Sequence, residues 1–434
     1  MNNTAICSIV LALLFFCGFG APALAQQEDE KIHLGADSNV DYSMLPRFGG
    51  SNSVGGQVRA DHENKTPSYR FEGLGNRFQP YYDFKQRVKN EYGLSFAGDY
   101  NLLYQEVSNS MEEDDAAGGV LRFYGTWNLT RQNSKDSGSL IFKVENRHRL
   151  YSDIAPQQLG GEAGYAGLTA ITFSDAGSLL SNLYWQQSFK QNRLAMVAGI
   201  VDSTDYVDVY GFVNPWTDFI NLSFSTSPTN PAPNQGLGAA LRTTFSNNYY
   251  LLAGLTDANG EPDKPQNSFD SFFDDHEYYK HIELGWMGSW ENRFTDNIHL
   301  TAWQVDERTA AMVKDGWGLA FSFSKKLGNS WLPFFRAGYS DDGGALLDRS
   351  ISTGVGYFRQ QRSDVFGVGV NWGKPSESIY GPAIDDQYTF ELFYRLQLFE
   401  HVTITPDIQY LINPPLSPDD DNVVVLGLRA RINF

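Results

Sequence analysis

The chain has 434 residues and a net charge of −18 at pH 7, and that acidity argues against nucleic acid as a partner, because phosphates need a basic face. Its length allows one large all-β unit or a few ordinary domains. Aromatic residues make up 14% of it and glycines number 41, the composition that twisted strands and tight turns consume.

The opening MNNTAICSIVLALLFFCGFGAPALAQ has an apolar run from Ala5 to Phe19, then Ala23-Leu24-Ala25 before Gln26. It falls short of the ~20 apolar residues of a spanning helix, so residues 1–25 are expected to be a secretory signal cleaved after Ala25. The n-region lacks Lys and Arg, and Cys17 lacks the small residue that precedes an acylated cysteine. Cys7 and Cys17 are the only cysteines, so the expected mature chain has neither disulfide nor thiolate chemistry. No later apolar run reaches spanning length, which leaves a soluble exported protein or an outer-membrane barrel.

Residues 26–77 are polar and rich in Gly, Ser and Asn (GGSNSVGGQ), and read as a poorly ordered leader. The stretch FQPYYDFKQRVKNEYG (78–93) fits either a short helix carrying Phe84 and Val88 or a loop, so the leader region runs over 26–92. From 93 to 434 the hydrophobic period is two. Leu94, Phe96, Gly98, Tyr100, Leu102 and Tyr104 share one face, and Leu121, Phe123, Gly125, Trp127 and Leu129 share the next. Leu140, Phe142 and Val144 alternate with Lys143, Glu145 and Arg147. The same pattern recurs at 281–291 (Ile282, Leu284, Trp286, Gly288, Trp290), 317–324 and 364–373. It is clearest in the pair 388–398 and 402–412 and in the closing VVVLGLRARINF, where Val424 to Phe434 occupy one face.

A soluble sandwich also alternates, but three features favour a membrane barrel. The strands reach the ~9–11 residues that a tilted outer-membrane strand needs, against a globular mode of ~5–6. Aromatics gather near strand ends, as in interfacial girdles: Tyr249, Tyr250, Trp331 and Tyr388. Tight turns such as Phe399-Glu400-His401 alternate with long acidic, Pro-rich connections at 257–281 and 413–422, the asymmetry of periplasmic turns and extracellular loops. At about 20 residues per strand and connection, roughly 16 antiparallel strands fit between Leu94 and Phe434, enough to leave an aqueous channel. The fold class is therefore all-β, a transmembrane antiparallel barrel with a short polar N-terminal leader.

Catalytic and metal motifs are weak. In DDHEYYKH (274–281) the two histidines stand five apart, not the four that align ligands on one helix face, and an exposed loop explains the stretch better. No G-x-S-x-G, P-loop or cysteine cluster is present, so neither an enzyme nor a cofactor or metal protein is expected. Asp419, Asp420 and Asp421 suit a solvated loop, with divalent ions near lipopolysaccharide as the other reading. What remains is the second face of each strand, which in a barrel lines the lumen. Candidate lumen-lining solute contacts are Arg147, Arg336, Glu391, Phe393, Arg395, Asp407, Gln409 and Arg429. Their mixed signs offer donors and acceptors to a neutral polyhydroxylated solute, and Phe393 offers a ring on which a sugar stacks; the plainer reading is that these are pore-wall charges that pair with one another.

The C-terminal stretch YTFELFYRLQLFEHVTITPDIQYLINPP followed by VVVLGLRARINF resembles the carbohydrate-selective porin family (OprB-type outer-membrane porins). Glu391, Tyr394, Arg395, Gln397, Pro406, Asp407, Gln409, Tyr410, Asn413, Pro414, Gly427, Leu428, Arg429 and Phe434 match its pattern. Weaker echoes lie at GLSFAGDY (93–100), FINLSF (219–224) with Pro228, Pro231 and Gly236, and RSDVFGVGV (362–370). The resemblance implies a 16-stranded barrel passing monosaccharides or polyols down their gradient. The implied partners are neutral sugars, outer-membrane lipid and lipopolysaccharide, and barrel-assembly machinery that reads the strand ending at Phe434. The long leader and the strong acidity depart from the family pattern. A general or carboxylate-selective porin is the alternative. Outside the porin class, an outer-membrane lipase would need a Ser/His pair, and a structural or adhesive protein would have a plugged lumen.

Overall fold

The computed structural model describes residues 48–434 apart from 64, 70, 71, 131–134, 247 and 360. The expected signal and the leader up to residue 47 lie outside the described residues.

Sixteen strands follow one another among the described residues. They are β1 Leu94–Val107, β2 Asp115–Thr130, β3 Gly138–Arg149, β4 Gly177–Phe189, β5 Leu194–Val201 and β6 Gly236–Phe245. Next come β7 Tyr249–Asp257, β8 Tyr278–Met287, β9 Asp296–Val305, β10 Gly316–Lys325 and β11 Trp331–Asp342. The last are β12 Leu347–Phe358, β13 Val365–Pro375, β14 Gln387–Phe399, β15 Val402–Ile412 and β16 Asn422–Asn433. Each pairs antiparallel with its sequence neighbours, and β1 pairs with β16 to close the barrel. Connections at 190–193, 246–248 and 400–401 are tight and lie at the end where β16 finishes. The opposite end carries the long connections 150–176, 202–235 and 258–277.

The pleat sorts the side chains as the period of two requires. On β16, Leu426, Leu428 and Ile432 are exposed on the outer face, while Val423, Val425, Arg429 and Arg431 are buried on the lumen side. Phe96, Phe123 and Phe142 form an outer aromatic row with centroids 5.9 and 5.6 Å apart. Tyr249, Trp331 and Tyr388 stand on the outer face as girdle residues. Tyr250 does not: one residue on, it points inward and donates to Glu283 at 2.8 Å. The strand expected at 281–291 also stops at Met287, and Trp290 sits in the following turn.

Among the described residues, two helices precede the barrel. Helix α1 (Val54–His62) lies in part of the segment read as a poorly ordered leader. Ser53 caps it by accepting from the Gly56 amide at 3.3 Å, and Val54 and Val58, one turn apart, are buried. Helix α2 (Glu72–Tyr92) settles the stretch at 78–93 as helix and extends it towards the N-terminus. It runs along the tight-turn rim, where Tyr82 stacks on His401 and Trp127 donates to the Tyr92 carbonyl at 3.0 Å.

The seam carries a buried charge cluster. The Asp99 carboxylate accepts from Arg122 Nε at 2.7 Å and from Arg431 Nε at 2.8 Å, so one anion joins β1 to both neighbours. Asp99→Ala leaves two buried guanidiniums without that counter-charge, a loss of about 3–5 kcal/mol. The expected result is a clear fall in the temperature at which the folded band converts to the unfolded one in SDS electrophoresis, and an unchanged temperature would refute the seam's importance.

Candidate functional site

The lumen is divided by the long β5–β6 connection, 202–235, which folds inward instead of outward. Its sequence carries Tyr210, Phe212, Phe219 and Phe224 without strand periodicity, and all four are fully buried. They pack on Leu332, Phe334, Val365 and Phe393 from the lumen faces of β11, β13 and β14. Gly356 and Gly369 make room for them: a Cβ at either position would run into the ring of Phe212 or Phe224.

A loop inside a barrel must satisfy its backbone groups with wall side chains. Glu391 accepts from the Ile220 and Asn221 amides at 2.7 and 3.1 Å. Arg336 donates to the carbonyl of Thr226 at 2.6 Å and to Asp208 at 2.5 Å. Arg429 donates to the carbonyls of Pro215 and Asp218, and Arg395 pairs with the Asp218 carboxylate at 2.9 Å. Gln409 accepts from Asn221 at 2.9 Å and donates to the Thr169 carbonyl at 2.8 Å. Burial opposes ionisation of Asp208, but Arg336 and His299 outweigh it and hold its carboxyl below the usual range. At Asp218 burial wins over Arg395 and Arg429, and the carboxyl is pushed up.

On the long-loop side of this division lies a cavity of about 280 Å³. Lys143, Glu145 and Arg147 of β3 line one flank; Asp202, Asp205 and Trp216 of the loop line the other. Arg147 pairs with Glu145 at 2.5 Å, and Lys143 stands 4.0 and 3.9 Å from Asp202 and Asp205. Arg122 lies against the Trp216 ring, 3.9 Å from its centroid. Burial, supported by Asp202 and Glu145 against Lys143, raises the Asp205 carboxyl to about 7.

Of the residues expected to meet solute, Arg147 borders this cavity. Arg336, Glu391, Arg395, Gln409 and Arg429 hold the loop instead. Asp407 accepts from Gln409 at 3.0 Å, and Phe393 is covered by Phe219, with centroids 4.8 Å apart. The loop aspartates and Trp216 carry no strand alternation, so the period of two does not point to them; the apolar, aspartate-rich stretch without alternation is the signal the sequence holds. His281 faces the lumen between Tyr206 and Tyr279, whereas His276 stacks on Tyr278 in the outer connection.

Asp205 is neutral below about 7 and charged above it, so the cavity gains one negative charge as pH rises through that value. Cation preference, read as the reversal potential across a KCl gradient, is therefore expected to increase between pH 5 and 9. Asp205→Asn should flatten the change, and a pH response that survives the substitution would count against this assignment.

Comparison with known proteins agrees with this architecture. The profile of the OprB carbohydrate-selective porin family matches residues 142–434. Porin AaxA of Chlamydia abortus is 21% identical over 318 residues, 71% of this chain and 68% of that protein. Porin AaxA of Chlamydia felis is likewise 21% identical, covering 71% of this chain and 69% of its own. The high-pH structure of Pseudomonas putida OprB superposes with a TM-score of 0.62 at 14% identity, covering 82% of this chain and 97% of that one. The chain belongs to the OprB family of carbohydrate-selective porins and is an outer-membrane β-barrel of that kind.

Proposed function

We propose that this barrel gives passive, carbohydrate-preferring diffusion of monosaccharides and polyols. The observation that carries the reading is the cavity between β3 and the loop, where Lys143, Glu145 and Arg147 face Asp202 and Asp205. A single-sign stripe would select ions; interleaved cations and carboxylates offer donors and acceptors together, which is what a neutral polyol can use. Binding is weak and the solute leaves again, with no covalent step. Around the barrel the partners on this reading are outer-membrane lipid and lipopolysaccharide. Phe434 is the element offered to the assembly machinery: its ring is exposed and its amide donates to Gly98 at 2.8 Å.

Carboxylate selectivity is the second reading, favoured by one feature. Arg242 and Arg293 both lie against Trp290, 4.4 and 4.5 Å from its centroid, beside a cavity of about 50 Å³ on the tight-turn side.

Liposome swelling over a panel of sugars, polyols and carboxylates separates the two. Glucose and small polyols are expected to enter faster than carboxylates of equal size. Arg147→Ala removes one charged donor from the cavity and should weaken glucose block of single-channel current about fivefold, the effect of one hydrogen bond. Faster entry of carboxylates, with no response to glucose, would overturn the carbohydrate reading.

A further inference from the structure

Residues 48–63 pass through the lumen rather than leading up to it. Phe48, Val54 and Val58 are buried in one cluster with Ala97, Tyr124, Ile141, Tyr184, Val197 and Leu252, lumen side chains of β1 to β5 and β7. The opposite side of the segment meets the inward loop directly. The Gly50 amide donates to the Asp205 carbonyl at 2.7 Å, and Asn52 Nδ2 donates to the Thr204 carbonyl at 2.9 Å. Asn214 Nδ2 donates to the Ser51 carbonyl at 3.3 Å, and Phe48 packs edge-on against Tyr206 with centroids 5.1 Å apart. The segment therefore bridges the wall of β1–β7 and the loop that covers much of the remaining wall. Asn52 forms part of the floor of the 280 Å³ cavity, and Phe48 and Gly49 border the 50 Å³ cavity beyond it.

We propose that residues 48–63 are a releasable plug that closes the solute path, latched at its end by Asp61 to Arg431 and Tyr124. The proposal rests on the diffusion reading above and adds its regulation. Three observations separate a plug from a permanent core. Helix α1 has nine residues with Gly55 and Gly56 inside it, and a helix so short and glycine-weakened does not persist without its docking surface. Asn52 Oδ1 and Gln57 Oε1 are buried without a hydrogen-bond partner, so exposure to water satisfies groups that docking leaves unsatisfied. The loop, by contrast, is held through several wall side chains, whereas the plug's ionic hold is concentrated in Asp61. That carboxylate accepts from Arg431 at 2.9 and 3.1 Å and from the Tyr124 hydroxyl at 2.5 Å.

The chain beyond the latch provides a tether. The Thr66 amide donates to Ser363 Oγ at 2.9 Å, and the Ser68 and Tyr69 amides donate to the carbonyls of Gln397 and Leu398 at 2.8 and 3.0 Å. These bonds fix 66–69 to the tight-turn rim, so a plug that leaves the lumen stays beside its mouth.

The test uses the full chain in planar bilayers and glucose-loaded liposomes. Wild-type protein is expected to show infrequent openings. Asp61→Asn should raise the open fraction by about an order of magnitude, as the loss of one charge-assisted bond does. Val58→Asp, which changes the plug without touching the wall, should do the same. Joining Asn52→Cys to Thr204→Cys with a short, reducible thiol cross-linker should silence the channel, and reduction should restore it. Equal glucose flux in the cross-linked and reduced forms overturns the plug and leaves the porin reading standing. Openings that respond to these changes but ignore glucose support the plug and overturn the carbohydrate reading. Folded protein that conducts in none of these forms overturns both.

Discussion

A strand in hydrocarbon has no water for its amides and carbonyls, so a spanning sheet must close on itself. Here closure falls between β1 and β16, in a register that sets Asp99 opposite Asn433 and Val107 opposite Val425. That pairing brings the first and last strands together and places Asp99, Arg122 and Arg431 on one patch of lumen wall. The patch is a solution to closure as well as a consequence of it. A carboxylate between two guanidiniums is satisfied only when β16, β1 and β2 lie side by side, so a misregistered seam would bury charges without partners.

Closing sixteen strands creates a second problem, because wall side chains alone cannot fill so wide a lumen. This chain fills much of it with its own backbone, including part of the 150–176 connection, and two of the inserts are held in contrasting ways. The 202–235 connection arrives with six buried aromatic rings and is received by wall residues suited to backbone, Glu391 for amides and Arg336 and Arg429 for carbonyls. The 48–63 segment docks through three buried apolar side chains, Phe48, Val54 and Val58, and the Asp61 carboxylate. Density of apolar contact and number of polar anchors both make the loop the more firmly held insert. Mobility in the lumen is thus expected of the segment first.

The same physics explains what the sequence could disclose. Alternation is imposed by the pleat, so it was legible wherever one face met lipid; Val402–Ile412 is the strand the period defines, and Tyr249 and Tyr250 point to opposite faces because they are adjacent. Boundaries blurred where the wall ended, as at Met287 and Trp290. Helix α1 left almost no trace, since its glycines and lone valines suggest a leader until the lumen supplies their partners. The lumen face of each strand was identifiable, but not what would lie against it. Phe393 and Glu391 do face inward, yet Phe219 and the amides of Ile220 and Asn221 occupy them. Arg147 remains at the edge of a cavity, paired with Glu145. Burial by a distant loop is a tertiary fact, and period-two reasoning contains no term for it.

This division of the wall also determines where selectivity can change. The cavity has a fixed flank, Lys143, Glu145 and Arg147, and a flank supplied by the loop. The fixed flank cannot slide: moving β3 by one residue would turn Phe142, Val144 and Asn146 inward and put charges against lipid, at about 2–4 kcal/mol for each basic residue near the midplane. The loop is under no such constraint, because Asp202 and Asp205 lie outside the strand ladder, their carboxylates accepting from Gln235 and Asn182 rather than setting a register. A change there alters the charge of the passage while the seam, the register and the lipid face stay as they are. In a barrel built this way, the wall fixes the register and one flank of the cavity, and the loop supplies the flank that can vary.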